Sequence, residues 1–309
     1  FPALAAARKA GIASVIHEQN AVLGRVNRLL SGRVDAIATA YPDVERLAGK
    51  HLGKAHLVGN PVRPEVLALR DQPFPAFTAD GLFRVLVTGG SQGASVLAKI
   101  VPEGLSMLPP ALRGRLQVTQ QCRPEDLEAV RARYAEYGIP AELATYFEDM
   151  AGRLGDTHLF IGRAGASTIA ELTAVGRPAI LIPLPFATDD HQAANTREMV
   201  AAGGARMIRQ PKSTVADPDA LGVSEKGNRM RMQQAEIFQK LAKDLCRQIQ
   251  AMAMHPETLA TAAHGAWNCG RPNAAEDLAD LVESFGGGAP IMDVIRMSGE
   301  GARSATREA

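Results

Sequence analysis

The stretch Arg84-Val-Leu-Val-Thr-Gly-Gly-Ser-Gln-Gly-Ala94 decides how the rest of the chain is read. Val85-Leu86-Val87 is apolar without alternation, the mark of a strand covered on both faces by helices in a parallel sheet. It runs into a glycine turn, Gly89-Gly90-Ser91-Gln92-Gly93, and residues 95–107 follow with helical spacing of apolar positions. Glycines let the backbone turn sharply and approach a ligand with no Cβ in the way. The helix start then offers unpaired N–H groups and the positive end of its dipole to a phosphate, with the Ser91 hydroxyl as a further donor. A plain strand-to-helix turn has the same composition. The spacing matches neither G-x-G-x-x-G nor G-x-x-x-x-G-K-[ST], so no dinucleotide or Walker-type loop is assigned.

The same rhythm extends in both directions. Strands are predicted at residues 13–17, 36–39, 56–58, 84–88, 116–120, 143–146, 159–161, 179–183 and 205–208, with helices at 95–107, 124–136, 166–174, 192–201, 230–254 and 272–285. Alternating strands and helices predict a doubly wound α/β fold. Residues 60–81 interrupt it with Pro61, Pro64, Pro73, Pro75 and Asp80-Gly81, a composition that suits an interdomain linker. The expected division is therefore residues 1–75, the C-terminal part of a first domain plus linker, and residues 76–285, a second domain with an insertion near 211–240. Residues 286–309 lack pattern and are expected to be disordered. The chain opens at Phe1 on a short helix, and what precedes the linker is small for an α/β domain, so the first domain is expected to be incomplete.

Composition narrows the function classes. There are 34 Lys+Arg against 33 Asp+Glu, a formal charge of +1, so no basic surplus points to nucleic acid. No apolar run approaches the ~18 residues of a transmembrane helix. Cys122, Cys246 and Cys269 are odd in number and lack C-x-x-C spacing, which fits neither a disulfide framework nor a structural zinc site.

Four further turns follow predicted strands. In Phe160-Ile-Gly-Arg-Ala-Gly-Ala-Ser-Thr-Ile-Ala-Glu171, Thr168 with Glu171 three residues on could be a capping box, or Glu171 could accept hydrogen bonds from sugar hydroxyls while the turn faces a phosphate. In Pro183-Leu-Pro-Phe-Ala-Thr-Asp-Asp-His-Gln-Ala-Ala-Asn195, the paired aspartates suit a helix N-terminus better than a metal. Gln192 and Asn195 lie three apart on one helical face and could bind a polar ligand. His17-Glu-Gln-Asn20 stands at a strand's carboxyl end, where open α/β sheets bind ligands, though Asn20 could simply cap a helix. In Gly59-Asn-Pro-Val-Arg63, Arg63 could pair with a phosphate or brace the linker. Five such turns in two α/β units predict a cleft that holds a phosphorylated ligand.

His17–Asn20, Gly59–Arg63, Gly89–Ala94, Arg163–Glu171 and Asp189–Asn195 occur in the order and spacing of one family. They resemble the bacterial enzymes that add N-acetylglucosamine to lipid I in peptidoglycan synthesis, the MurG family. The likeness covers Phe1 to about Gln210 and resumes from about Leu241 to Phe285. It implies a GT-B fold of two Rossmann-like domains, the first incomplete here. It also implies inverting transfer from UDP-N-acetylglucosamine to the 4-hydroxyl of the lipid I muramoyl-pentapeptide, giving lipid II, with no metal and no other cofactor. The implied partners are the sugar nucleotide, lipid I and the cytoplasmic face of the inner membrane, where the enzyme would sit peripherally; no nucleic acid is implied.

Carried over position by position, Asn20 and Arg63 match substrate-binding residues, Ser91 lies beside the diphosphate, and Phe147 falls where the main chain meets uracil. Ala166, Ser167, Thr168, Ile169, Ala170 and Glu171 match the segment around diphosphate and ribose, Glu171 being the ribose ligand, and Gln192 matches a contact to the sugar hydroxyls. The family's glycine-rich N-terminal loop has no counterpart, and that loop region carries its usual base; His17 is the nearest remaining candidate. The chain is accordingly expected to bind the donor and to transfer poorly or not at all. The alternatives are a UDP-sugar-binding remnant without catalysis, or another GT-B enzyme such as a UDP-sugar epimerase or lipid glucosyltransferase. A nicotinamide-dependent dehydrogenase is disfavoured because no G-x-G-x-x-G is present.

Overall fold

The structure, a computed structural model, describes residues 2–90, 94–212 and 225–286. The chain divides into two compact units, residues 1–61 with 271–309 and residues 62–270.

The first unit carries a three-stranded parallel sheet, β1 (Val15–Glu18), β2 (Ala36–Thr39) and β3 (Ala55–Leu57), in that order, with Val15 opposite Ala36 and Ile37 opposite Ala55. Ile16, Leu30, Val34 and Ile37 form its core, and Leu4 of the helix Pro2–Lys9 packs against them. The helix Ala274–Gly286 belongs to this unit rather than the second. Gly59 shows how tightly that segment returns: its φ is +93°, and a Cβ there would lie 2.8 Å from Arg271 Cβ and 3.0 Å from Ala274 Cβ.

The second unit is built on a six-stranded, all-parallel sheet: β4 (Phe83–Thr88), β5 (Leu116–Gln121), β6 (Ala141–Ala144), β7 (Leu159–Gly162), β8 (Ala179–Leu181) and β9 (Ala205–Met207). The spatial order is β6-β5-β4-β7-β8-β9. The chain winds outward from β4 to β6, then returns beside β4 and winds the other way. Its topological switch point therefore lies between β4 and β7, whose carboxyl ends carry the two glycine turns.

Burial on both faces is as Val85-Leu86-Val87 predicts, each being 1% exposed or less. Val85 and Val87 face a layer made by Leu97, Ile100 and Leu105 of the helix Ser95–Ser106 with Leu245 and Ile249 of the helix Glu225–Ala253. Leu86 faces the opposite layer, with Phe160, Ile169, Leu172 and Met199. All nine predicted strands are present within one or two residues of the expected edges.

The domain division differs from the sequence expectation. Val62, Val66 and Leu69 pack into the second unit's core, so most of the supposed linker is that unit's opening segment and the boundary falls at Pro61 rather than near residue 75. The supposed insertion is divided too: residues 213–224 lie outside the described residues, whereas 225–240 begin the continuous helix Glu225–Ala253. Residues 287–309, expected as a disordered tail, lie outside the described residues. Beyond the short helices Arg25–Leu30, Pro64–Leu67 and Pro110–Arg113, two longer ones, Met150–Asp156 and Pro256–Asn268, are not predicted from the sequence. Gly152 and Gly155 blur the first. The second is rich in small residues because it packs very closely: a Cβ on Gly265 would run into Ala202 O.

Two predictions follow from this packing. A Cβ on Gly162 would run into Thr88 O and the Phe160 ring, so Gly162→Ala is expected to lower unfolding free energy by about 3 kcal/mol in urea titration, as overpacking a core does. His158 is buried; Arg84 N–H donates to its Nδ1 (3.0 Å), its Nε2 donates to Ala76 O (3.3 Å), and burial first, then nearby arginines, lower its pKa below 6.5. Above pH 6.5 the ring is neutral folded and unfolded, and its contribution is whole. As pH falls through 6.5 the unfolded chain takes up a proton that the folded ring resists, so stability drops until the folded pKa is passed. Melting temperature should fall from pH 7 towards pH 5 less steeply in His158→Gln than in the unsubstituted chain.

Candidate functional site

In the first unit, the turn after β1 is organised by a carboxylate that the sequence reading passed over. Glu18 is 3% exposed and accepts hydrogen bonds from Asn20 N (3.0 Å), Asn20 Nδ2 (3.3 Å), Gly24 N (2.7 Å) and Asn27 Nδ2 (3.0 Å). A buried charge is tolerated when it is this well satisfied. The turn is also laced to the Gly59–Asn60 segment: His17 Nε2 donates to Gly59 O at 2.9 Å, and Asn60 Nδ2 donates to Gln19 O at 3.0 Å. Burial, opposed by the bond to Gly59 and by Glu18, lowers the His17 pKa, so the ring is neutral at pH 7 with its proton on Nε2. His17 and Asn20 thus share one braced turn.

In the second unit, the helix Ala166–Ala174 starts at the switch point. Gly165 is its N-cap and no side chain caps it. The capping-box reading of Thr168 with Glu171 is therefore incorrect: Thr168 lies inside the helix, and the amides of Ala166, Ser167 and Thr168 remain among the unpaired donors of a first turn. Ser167 is exposed, and Ala166, Thr168, Ala170 and Glu171 are half-buried. Ile169 is buried in the core with Leu172, so only its main chain is accessible to a ligand. Glu171 Oε1 accepts from Arg63 Nε at 2.9 Å, an ion pair that raises the Arg63 pKa and leaves Oε2 to other donors. The helix Ser95–Ser106 likewise lacks a side-chain cap at Ala94, and Gly90 has a φ of +78°. Ser91 lies outside the described residues.

The sheet's carboxyl edge is held by a second buried charge. Arg163 Nη1 donates to Ile182 O (2.9 Å), Pro183 O (3.2 Å) and Gln210 Oε1 (2.9 Å), and burial brings its pKa down to about 10, still cationic at neutral pH. Asn195 was read as a ligand residue alongside Gln192. It is instead fully buried, with Nδ2 donating to Ala164 O at 3.3 Å, and braces the glycine turn. Gln192 Oε1 accepts from Leu184 N at 2.9 Å. The expected capping role of the aspartates also changes: Asp190 occupies the N-cap of the helix His191–Asn195 without capping it, and its carboxylate pairs with Arg209 at 2.7 Å. Phe147 is buried under the Arg153 guanidinium (4.2 Å), which grips Glu142 through two bonds of 2.6 and 2.7 Å, so the main chain there is fixed.

This geometry can be set beside known proteins. Residues 84–242 match the glycosyltransferase family 28 C-terminal domain. The chain is 67% identical over 307 residues to the UDP-N-acetylglucosamine--N-acetylmuramyl-(pentapeptide) pyrophosphoryl-undecaprenol N-acetylglucosamine transferase of Erythrobacter litoralis, covering 99% of this chain and 70% of that one. The enzyme of the same name from Novosphingobium aromaticivorans is 70% identical over 297 residues, covering 96% and 69%. The chain belongs to the MurG family of N-acetylglucosaminyltransferases. The crystal structure of Acinetobacter baumannii MurG agrees, with a TM-score of 0.69 at 28% identity over 92% of this chain and 71% of that one. With the parallel sheets above, this makes the fold GT-B. Membership of the MurG family also removes the dehydrogenase and epimerase alternatives.

Of the residues that sequence reasoning missed, Glu18 lay inside a quoted motif, and its signal was a carboxylate at a strand end followed by Asn20, Gly24 and Asn27. Replacing it with alanine would strand several buried donors, so Glu18→Ala is expected to cost about 3 kcal/mol of stability in urea titration, whereas Glu18→Gln should cost less.

Proposed function

We infer that the chain transfers N-acetylglucosamine from UDP-N-acetylglucosamine to lipid I, with inversion, to give lipid II. The observation that carries this is the identity of 67–70% to enzymes named for that reaction, along nearly all of the chain. The chemistry needs a place for the charge that develops on the leaving diphosphate. The uncapped start of Ala166–Ala174 at the switch point supports a donor site there: Ala166, Ser167 and Thr168 present amides and hydroxyls without needing a metal. Ile169 and Ala170 contribute main chain, and Ser91 is assigned beside the diphosphate.

Glu171, steadied through Oε1 by Arg63, accepts ribose hydroxyls through Oε2. Phe147 meets uracil through its main chain, and Gln192 reads the sugar hydroxyls. Asn20 takes its place among the substrate contacts. His17 is assigned as the base, through Nδ1, because Nε2–H is committed to Gly59 O. With its pKa below 6.5, that ring stays unprotonated at neutral pH, and protonation below that range removes the proton acceptor.

Among the described residues no helix is long and apolar enough to cross a membrane. Exposed Val26 and Leu29 beside exposed Arg25 and Arg28 support a peripheral position on the cytoplasmic face of the inner membrane.

Calorimetric titration with UDP, UDP-N-acetylglucosamine and NAD, together with a turnover assay on a lipid I analogue, tests this assignment. Binding of both uridine compounds is expected, with Glu171→Ala weakening UDP about tenfold through loss of a charged hydrogen-bond acceptor. NAD binding with no UDP binding would end the proposal. Donor binding without turnover would favour the binding-only alternative.

A further inference from the structure

We propose that Arg209 is a positioning residue for the donor sugar, acting through Asp190 on the turn that presents Gln192. This rests on the donor-site assignment above. The turn is costly to form: Asp189 and Asp190 both have a φ of +57°, a left-handed conformation that side chains other than glycine rarely adopt, here at two successive positions. Local hydrogen bonds shape it, Asp190 N to Ala187 O at 2.9 Å and His191 Nδ1 with Thr188 O at 2.7 Å. From outside the loop, Arg209 Nη1 grips Asp190 Oδ2 at 2.7 Å.

Arg209 has a firm base from which to do this. Its neighbour Gln210 is tied to the buried Arg163, and the same guanidinium holds Ile182 O and Pro183 O, where the Gln192 loop begins. The two ends of the loop are thereby referred to one buried cation. Pro183, Leu184, Pro185, Asp190, Arg209 and Gln210 are among the residues lining an open pocket of about 270 Å³ beside this arrangement.

The consequence falls on Gln192. Leu184 N–H donates to Gln192 Oε1 at 2.9 Å, which identifies the oxygen and leaves Nε2, a group that can only donate. A carboxamide fixed this way selects acceptor oxygens such as sugar hydroxyls. If the turn relaxes to ordinary backbone angles, Asp190 and His191 shift and the helix start carrying Gln192 shifts with them. The Arg209–Asp190 pair is well exposed at both ends, 60% and 43%, so it contributes little to global stability and its effect is local.

The test compares binding of UDP, which lacks the sugar, with UDP-N-acetylglucosamine in Arg209→Ala, Arg209→Lys, Asp190→Ala, the double alanine variant, and the charge swap Asp190→Arg with Arg209→Asp. Arg209→Ala should weaken UDP-N-acetylglucosamine about fivefold while UDP changes by less than about twofold and the melting curve stays in place. In turnover the loss should appear in KM more than in kcat. Arg209→Lys and the charge swap should recover most of the affinity, and the double alanine variant should lose no more than either single one. Equal weakening of both ligands, no change in either, or additive losses in the double variant would overturn the inference. Failure of the unsubstituted chain to bind UDP-N-acetylglucosamine would defeat the donor-site assignment and this inference with it, and it is told apart because it needs no substitution.

Discussion

The contact on which the second unit depends is the approach of β4 to β7 at the switch point, where Thr88 lies opposite Gly162 and leaves no room for a Cβ. Because the chain leaves β4 on one side and returns to β7 on the other, the two connections diverge and their turns open at the same edge. Both turns end in helices that no side chain caps, at Ala94 and Gly165. Gly162 permits the strand approach, while Ala94 and Gly165, which have no side-chain acceptor, leave the two helix starts bare.

Within each unit the protein uses a buried charge as a fastener. Arg163 joins the end of β7 to the carbonyls after β8 and to Gln210, and Glu18 gathers four donors around the turn after β1. A charge is expensive to bury, but once satisfied it is equally expensive to disturb, so these loops are held more firmly than neutral hydrogen bonds would hold them. The surface pairs Arg63–Glu171 and Arg209–Asp190 work differently. They are exposed enough that their effect is to orient a particular side chain rather than to stabilise the fold.

Much of this was legible in the sequence, for reasons that can be named. Unbroken apolar runs such as Val85-Leu86-Val87 and Ile180-Leu181-Ile182 can be satisfied only between two helical layers, so strand positions and fold class followed from hydrophobicity alone. The glycine turns were legible because few other residues permit that backbone. Proline, by contrast, misled: Pro61, Pro64, Pro73 and Pro75 looked like a linker, yet Val66 between them is fully buried. Proline records local backbone geometry and carries no information on what the neighbouring side chains will cover.

What the sequence by itself determined was the alternation of strands and helices, the places where ligand-facing turns must occur, and the family. What only the tertiary structure decided was which polar side chains in those turns face outward and which are consumed inside. Asn195 and Gln192 sit three residues apart and look equivalent in the sequence, but one is buried against Ala164 O while the other is only half-buried. Asp190 looked like a helix cap until Arg209, distant in the chain, was found beside it. Helical and strand periodicity fix a residue's direction within its own element, whereas the partner it meets depends on elements far away in sequence, and only folding brings those together.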